Sequence, residues 1–277
     1  MSAIATHDEM VAAYNAQRAQ FSGWTAGTDV WTGALAARFR DNPHRPLDPV
    51  LQSIADDLQG SDVLVDAGGG AGRMALPLAL RCAEAVVVDP SEGMREQFDS
   101  IRAEAGIQNA RYIQEDWLTG EPIRGDLALV CHVTYFVPAI ERFVGRLVEA
   151  ARRRVTIVVN STPPPNQVAD LFELLHGTPQ SLVPGHQALL PVLWEMGFLP
   201  EVRVLPVMPP GAAPLFRTRE EAVESLTFAP QLIGADVEMI RRTASEHFDR
   251  LFAVTEGGWV RPSTATTRAV LITWETR

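Results

Sequence analysis

Four glycines within five positions follow an acidic residue in the first third of the chain. Three apolar residues run into Asp66, and the glycines after it are Gly68, Gly69, Gly70 and Gly72. The apolar run predicts a short buried strand, and glycine lets a ligand approach the following backbone without meeting a Cβ atom. Because free N–H groups open the next helix, this order is typical of the site where an open α/β sheet binds a nucleotide-like ligand.

The spacing of the glycines separates two kinds of nucleotide site. The dinucleotide fingerprint is Gly-x-Gly-x-x-Gly/Ala. Counted from Gly68, its last position falls on Arg73, and counted from Gly70 it starts well past the end of the strand. The pattern acid-x-Gly-x-Gly-x-Gly fits better, because it also accounts for Asp66. An ordinary tight turn with structural glycines is the alternative that needs no ligand.

A second acid ends the next predicted strand. Asp89 follows a run of valines about 20 residues beyond the glycines, the offset at which dinucleotide folds place an acid on the ribose. Its carboxylate can accept hydrogen bonds from both ribose hydroxyls. Ser91 is explained as a helix cap without any ligand, but capping does not explain Asp89.

These two segments resemble motif I and the segment after the second strand in the class I S-adenosylmethionine (SAM)-dependent methyltransferases. The resemblance implies that the turn holds the methionine part of SAM, that Asp89 binds the ribose and that Met94 lies against the adenine. The cofactor contacts that it implies here are Asp66, Ala67, Gly68, Gly69, Gly70, Gly72, Arg73, Asp89, Pro90 and Met94.

Two further strand ends belong to the same implied cofactor site. Glu115, Asp116 and Trp117 follow the third predicted strand, where the family commonly has an acid that accepts from the adenine amino group. An acidic turn anchored by a tryptophan would explain the same residues. Cys131 and His132 end the fourth predicted strand, where the resemblance implies that the reactive methyl group points.

His132 is the candidate catalytic residue. Methyl transfer from a sulfonium needs positioning and a dry pocket, and an oxygen or nitrogen acceptor can also need a general base. A histidine base would give the pH–rate profile a limb in the histidine range. The alternative is a hydrogen bond to the cofactor or backbone, because no orienting partner is visible in the sequence. Tyr135, close behind, is a candidate acceptor contact.

Strand and helix patterns alternate after residue 61. Strands are predicted at 63–67, 85–89, 111–114, 127–133, 155–160, 201–207 and 266–275. Their Val, Leu and Ile runs predict an α/β fold with a parallel sheet covered on both faces. The resemblance implies a Rossmann-like, doubly wound, seven-stranded sheet whose last strand is antiparallel. Helices are predicted before the sheet, with a capping box at 6–9 and with Asp29 and Asp48 as caps.

Four parts are expected along the chain. They are a helical N-terminal cap at 1–60, a SAM-binding core at 61–207, a helical lid at 208–259 and a final core strand at 260–277. An insertion before an antiparallel last strand emerges at the same end of the sheet as the glycine turn, so it can cover the methyl group. The aromatic residues of the cap could simply pack helices onto the sheet. Those predicted as acceptor contacts are Tyr14, Trp24 and Trp31.

The composition of the chain limits the kinds of partner that we expect it to bind. The net charge of -10 over 277 residues argues against nucleic acid. Cys82 and Cys131 lie far apart, which indicates a reducing compartment without a disulfide framework. Without a signal pattern at 1–10 or a membrane-length apolar run, we expect a cytoplasmic protein without membrane contact. No spacing indicates a metal site.

The predicted function is a SAM-dependent methyltransferase that acts on a small molecule and releases S-adenosylhomocysteine. One alternative is a SAM-binding regulatory or scaffold protein, since binding residues alone do not prove turnover. The other is an NAD-dependent oxidoreductase, which would leave Asp66 and Gly68 unexplained. The acceptor, the atom methylated and the oligomeric state are not assigned.

Overall fold

Nine strands are described, and seven of them make one sheet. The computed structural model describes residues 2–25, 27–206, 215–228 and 233–276. The strands are β1 (Val63–Ala67), β2 (Glu84–Val88), β3 (Ala110–Ile113), β4 (Gly125–Cys131), β5 (Ala151–Asn160), β6 (Glu201–Leu205), β7 (Ala253–Thr255), β8 (Gly258–Val260) and β9 (Ala269–Glu275). The sheet order is β3-β2-β1-β4-β5-β9-β6, and β7 pairs with β8 in a separate hairpin.

The last strand of the sheet runs against its neighbours. β1 to β5 pair in parallel, whereas β9 is antiparallel to both β5 and β6. The register places Val65 between Val86 of β2 and Ala128 of β4. The prediction of a seven-stranded, doubly wound α/β sheet with an antiparallel last strand is confirmed. Because β1, β2 and β4 are parallel, the segments after their carboxyl ends meet at one end of the sheet.

Twelve helices are described around the sheet. They are α1 (Ala3–Ser22), α2 (Gly33–Ala37), α3 (Pro49–Asp57), α4 (Ala75–Ala79), α5 (Glu92–Glu104), α6 (Ile140–Ala150), α7 (Ala169–His176), α8 (His186–Glu195), α9 (Arg219–Glu224), α10 (Val237–Glu246), α11 (Phe248–Leu251) and α12 (Pro262–Ala265). Within the described ranges, none of them is long and apolar enough to cross a membrane.

Alternate residues of the inner strands enter two different cores. Val65 and Val86 belong to the core that includes side chains of α1, α6 and α8, whereas Leu64 and Val87 belong to the core with α3, α4 and α5. All four side chains are fully buried. Burying one such side chain stabilises the fold by about 1.5–3 kcal/mol. Burial on both faces explains why these strands are almost continuous apolar runs.

A third core lies away from the sheet. It contains side chains of α7, α9, α10 and α11, among them Leu171, Phe172, Val223, Ile240 and Phe248. The predicted lid at 208–259 therefore packs against α7, a helix that lies inside the range 61–207 predicted for the core. Residues 207–214 and 229–232, at the end of the predicted sixth strand and in the lid, lie outside the described residues.

Three helix starts differ from the predicted ones. The hydroxyl of Ser2 caps α1 by accepting from the helix backbone across 3.1 Å, so the capping box predicted at 6–9 is wrong. α2 follows Thr32 and is not capped by Asp29. α4 begins only at Ala75, because the glycines before it keep turn conformations that a helix does not allow.

Candidate functional site

Three glycines of the turn after β1 have backbone conformations that favour glycine. The φ angles are +71° at Gly68, +52° at Gly70 and +80° at Gly72, whereas Gly69 keeps a negative φ. Residues with a Cβ rarely adopt these positive values. The positive angles fall on the alternate glycines of the acid-x-Gly-x-Gly-x-Gly pattern, so the pattern describes the shape of the turn.

The protein's own atoms approach most of these glycines. A Cβ atom at Gly68 would lie 2.6 Å from Cγ2 of Val133, and one at Gly72 would lie 2.6 Å from the ring of Phe98. At Gly70 the nearest atom is Sδ of Met94, at an ordinary contact distance of 3.5 Å. Packing against Val133 and Phe98 therefore explains why glycine occupies positions 68 and 72. Close approach of a ligand is needed to explain glycine only at position 70.

Asp66 ends β1 with a carboxylate that has no partner in the described structure. The residue is 0% exposed, and neither Oδ1 nor Oδ2 has a hydrogen-bond partner among the described residues. Burial, assisted by the negative charge of Asp89, raises the pKa of Asp66 to about 7. A buried polar group without a partner is rare in a folded protein. A cationic donor beside the turn would satisfy both oxygens, and the amino group of SAM is such a donor.

Asp89 joins the ends of β1 and β2. Its Oδ2 accepts from the amide of Gly70 at 3.0 Å, and its Oδ1 accepts from the amide of Ser91 at 2.9 Å. Burial raises the pKa of Asp89, and the two backbone hydrogen bonds oppose that effect. Each carboxylate oxygen can accept a further hydrogen bond. The carboxylate is thus held in place with accepting capacity to spare, as a ribose contact requires.

Residues of the N-terminal cap lie on the start of α5, beside Asp89. The hydroxyl of Ser91 donates to Oδ2 of Asp29 at 2.9 Å. A Cβ atom on Gly93 would overlap the carbonyl oxygen of Trp31, so only glycine allows this close packing. The Trp31 ring packs edge-on against Phe39, with 5.1 Å between the ring centroids. The predicted acceptor contact Trp31 therefore lies beside the segment after β2.

His132 follows β4 with its ring held by Tyr135. It is the one described residue other than glycine with a positive φ, +61°, and its Nδ1 lies 3.2 Å from the Tyr135 hydroxyl. That hydroxyl also accepts from the amide of Asn160, so it joins His132 to the end of β5. His132 is exposed as a residue, but the protein atoms around its ring exclude water from it, and this desolvation, with the positive charge of Arg73, lowers the pKa of His132 to about 4.

The residues after β3 mainly hold their own loop. Oε2 of Glu115 accepts from the amide of Glu121, and Oδ1 of Asp116 accepts from the amide of Leu118, each at 2.8 Å. Trp117 is only 6% exposed and packs in the core of the sheet. This arrangement matches the alternative of an acidic turn anchored by a tryptophan. A contact of Glu115, Asp116 or Trp117 with adenine stays a prediction.

The predicted acceptor residues separate into different places. Tyr14 lies beside the segment after β4, where its ring is 6.2 Å from that of Phe136, and Phe136 is 6.0 Å from Tyr135. Trp24 instead stacks under Arg18, whose guanidinium carbon is 4.4 Å from the ring centroid. Arg18 lies four residues after Tyr14 on the same face of α1, but no role was predicted for it from the sequence. A charged residue on an apolar helix face was the signal that could have singled it out.

A family comparison decides what kind of domain contains this site. Residues 65–159 match a family model described as a methyltransferase domain. The match runs from β1 to β5 and contains the glycine turn, Asp89 and His132. Residues 65–159 of the chain are therefore assigned to a methyltransferase domain. The residues at this site fit SAM as a cofactor, because an unpartnered buried acid and an acceptor carboxylate flank a turn that has room at Gly70.

Solved structures share the fold of this chain at low sequence identity. The YcgJ protein of Bacillus subtilis is 15% identical with a TM-score of 0.53, and a candidate methyltransferase of Bacillus halodurans is 16% identical with a TM-score of 0.57. Each alignment covers 82% of this chain and 97% of the other chain. Geranyl diphosphate methyltransferase in complex with SAM is 15% identical with a TM-score of 0.51, over 92% of this chain and 94% of the other. No curated protein matches the chain.

Proposed function

We propose that this protein transfers the methyl group of SAM to a small-molecule acceptor. The observation that carries the proposal is the carboxylate of Asp66, which is buried without a partner beside a turn fastened to Asp89. Bound SAM supplies a methyl group activated on a sulfonium. That group passes to a nucleophilic atom of the acceptor as the sulfur–carbon bond breaks, and neutral S-adenosylhomocysteine leaves. The positive charge of the sulfonium passes to the acceptor, which releases a proton, becomes cationic, or loses its negative charge if it was an anion.

The cofactor is held by residues at the ends of the first two strands. Asp66 binds the amino group of the methionine part, directly or through one water molecule, and the backbone from Ala67 to Arg73 surrounds that part. Asp89 accepts from the ribose hydroxyls with the capacity that its two backbone hydrogen bonds leave free. Met94, which lies against Gly70, and Pro90 bound the adenosine side. Cys131 lines the end of β4.

His132 acts in this proposal as a hydrogen-bond donor. Its Nδ1 is hydrogen-bonded to the Tyr135 hydroxyl, and the proposal assigns the proton of the neutral ring to Nε2. Efficient general bases have a pKa near the working pH, and the pKa of about 4 at His132 is far below that. The ring therefore orients the acceptor or the cofactor through Nε2–H and does not remove the proton of the acceptor.

The acceptor pocket is bounded by the cap and by the segment after β4. The exposed Phe136 lines it, the buried Tyr14 and Tyr135 pack on either side of Phe136, and Trp24 supports Arg18 at the outer end. Aromatic walls suit a small, partly apolar acceptor, and a chain with a net charge of -10 does not suit nucleic acid. The helices of the third core form the lid in this proposal, and the protein works in the cytoplasm.

Label transfer tests this proposed function. The purified protein is incubated with methyl-labelled SAM and a metabolite extract, and the products are separated by liquid chromatography and mass spectrometry. We expect one labelled small molecule together with an equal amount of S-adenosylhomocysteine. Heat-denatured protein is the control. SAM binding without any labelled product would favour a non-catalytic SAM-binding protein, and NAD binding in place of SAM would favour an oxidoreductase.

A further inference from the structure

Arg18 has a buried edge that makes no hydrogen bond among the described residues. It lies one helical turn after Tyr14 on the inner face of α1, and its Nε and Nη2 atoms are buried without a hydrogen-bond partner there. These two nitrogens lie along the same edge of the planar guanidinium. Their N–H bonds are parallel, which is the geometry that holds both oxygens of a carboxylate at once. The edge therefore has the donor geometry that a carboxylate requires.

The guanidinium of Arg18 is held in position by an aromatic ring. Its Cζ atom lies 4.4 Å from the centroid of the Trp24 ring. Stacking on an aromatic face satisfies the face of the guanidinium but leaves its edge available for hydrogen bonds. Trp24 thus fixes the plane without using Nε or Nη2.

No acidic side chain compensates the charge of Arg18 in the described structure. No ion pair joins Arg18 to an Asp or Glu among the described residues, and the sequence of 207–214 and 229–232 contains neither residue. Burial lowers the pKa of Arg18, and the neighbour that opposes this effect is Tyr14. A buried charge without a counter-ion is destabilising, and an anionic ligand would remove that penalty.

A row of aromatic side chains leads from Arg18 to the place where the methyl group is transferred. Tyr14 contacts Phe136, Phe136 contacts Tyr135, and Tyr135 bonds to His132 after β4. Arg18 lies at the far end of this row from His132. Phe136 and His132 are exposed and offer a surface to a molecule bound along the row, Tyr14 and Tyr135 are buried behind them, and Arg18 supplies a cation at the outer end.

We propose that Arg18 binds a carboxylate of the acceptor, so that the acceptor is a carboxylic acid with an apolar or aromatic body. This inference rests on the proposed function, because it names the substrate class of the same site. A carboxylate is favoured over a phosphate because one guanidinium offers a single positive charge and no second cation affects its pKa. The carboxylate is the part that anchors the acceptor, and the atom that is methylated lies nearer to His132.

Calorimetry with matched probes tests the proposal without knowledge of the natural acceptor. The full chain, saturated with S-adenosylhomocysteine, is titrated with benzoate, 3-phenylpropionate and 4-phenylbutyrate, with the amide of each, and with phenyl phosphate. We expect at least one of the acids to bind more tightly than its amide and more tightly than phenyl phosphate. Equal binding of acids and amides, tighter binding of the phosphate, or binding of none of the acids would overturn the proposal.

Variants of Arg18 show whether the guanidinium is responsible. R18Q should weaken binding of the best acid about 10- to 150-fold, which corresponds to the 1.5–3 kcal/mol of hydrogen bonds to a charged group. R18K, which keeps the charge without the fork, should bind with intermediate affinity. R81Q, at an exposed arginine, is the matched control and should bind as the wild type does. Unchanged acid affinity in folded R18Q and R18K would contradict the proposal.

The affinity for S-adenosylhomocysteine separates this proposal from the proposed function. It should be the same in the wild type, R18Q and R18K, since Arg18 is placed at the acceptor end of the pocket. If the wild type binds no S-adenosylhomocysteine, the proposed function fails. If the wild type binds S-adenosylhomocysteine normally but the affinity for the acids does not depend on Arg18, only the assignment of the carboxylate site fails.

Discussion

The amide of Gly70 donates to Oδ2 of Asp89 across 3.0 Å, which joins the turn after β1 to the end of β2. The two segments come together only because β1 and β2 are adjacent and parallel. Each acid then has its own part in the site, since Asp66 is buried without a partner and Asp89 is anchored by backbone. This division leads to different expectations for the two carboxylates.

Substitution of Asp89 should weaken cofactor binding. Asp89→Ala removes the predicted ribose acceptor and releases the amide of Gly70, so SAM affinity should fall by about 1.5–3 kcal/mol. Calorimetric titration with SAM measures this loss. Asp99→Ala is the matched control, because Asp99 lies exposed on α5 and pairs with Arg95 and Arg102. Equal SAM affinity in the Asp89 variant and the wild type would remove Asp89 from the site.

Substitution of Asp66 should stabilise the protein without SAM at pH 8. The unperturbed carboxyl has a pKa of 3.8, and burial raises the pKa of folded Asp66 to about 7. Between these values the folded protein keeps a proton that the unfolded chain has released, so stability falls as pH rises from about 4 to about 7. Asp66→Asn should therefore be more stable than the wild type at pH 8, on the order of 2–4 kcal/mol, and little different at pH 4.

Urea unfolding at the two pH values measures this difference. The same variant should bind SAM more weakly, since an amide cannot form a charged hydrogen bond with the amino group. A variant that is less stable than the wild type at pH 8 would show that Asp66 has a stabilising partner in the folded protein.

The strands could be predicted from the sequence because burial on both faces requires apolar runs. The bounds of β1 agree with the predicted 63–67, and Asp48 caps α3 as expected, with its carboxylate accepting from two backbone amides. The hairpin of β7 and β8 was missed. Its strands are three residues long and lie at the end of the range 208–259 that was predicted as a helical lid. All the residues of β7 are exposed.

Contacts between distant segments could not be predicted from the sequence. The orientation of His132 depends on Tyr135, which depends in turn on the amide of Asn160 at the end of β5. No local pattern gives that contact. The packing of Trp31 against Gly93 likewise joins the cap to α5 over sixty residues of chain. The types of the site residues could be predicted from the sequence, but their hydrogen-bond and packing partners could not.

Gly68 and Gly70 of the turn should respond differently to substitution by alanine. At Gly70 there is room for the methyl group of alanine. The free energy of unfolding of Gly70→Ala should fall only by the cost of a left-handed backbone, about 1–2 kcal/mol. Gly68→Ala adds a clash with Val133, so its free energy of unfolding should fall by about 1–3 kcal/mol more. Urea unfolding measures both. Val133→Ala in the Gly68→Ala background should restore the part due to the clash, and equal losses in the two single variants would refute this account.

The His132 ring should not titrate between pH 5 and 8. Its pKa of about 4 keeps the ring neutral over this range, and the proposed role requires the proton on Nε2 while Nδ1 accepts from Tyr135. Nuclear magnetic resonance of the ring protons and nitrogens measures both the pKa and the tautomer. The exposed His247 is an internal control. A pKa near 6.5 at His132 would restore it as a candidate general base, with a pH–rate limb in that range.

The distance between Asp89 and the ribose, in a crystal structure with S-adenosylhomocysteine bound, tests the central claim most directly. The central claim is that Asp66, the glycine turn and Asp89 form the cofactor site. We predict that a ribose hydroxyl lies about 2.5–3.0 Å from a carboxylate oxygen of Asp89, the usual range for this hydrogen bond, and that Asp66 gains a partner. A ligand bound elsewhere, or a ribose out of hydrogen-bond reach of Asp89, would contradict the claim.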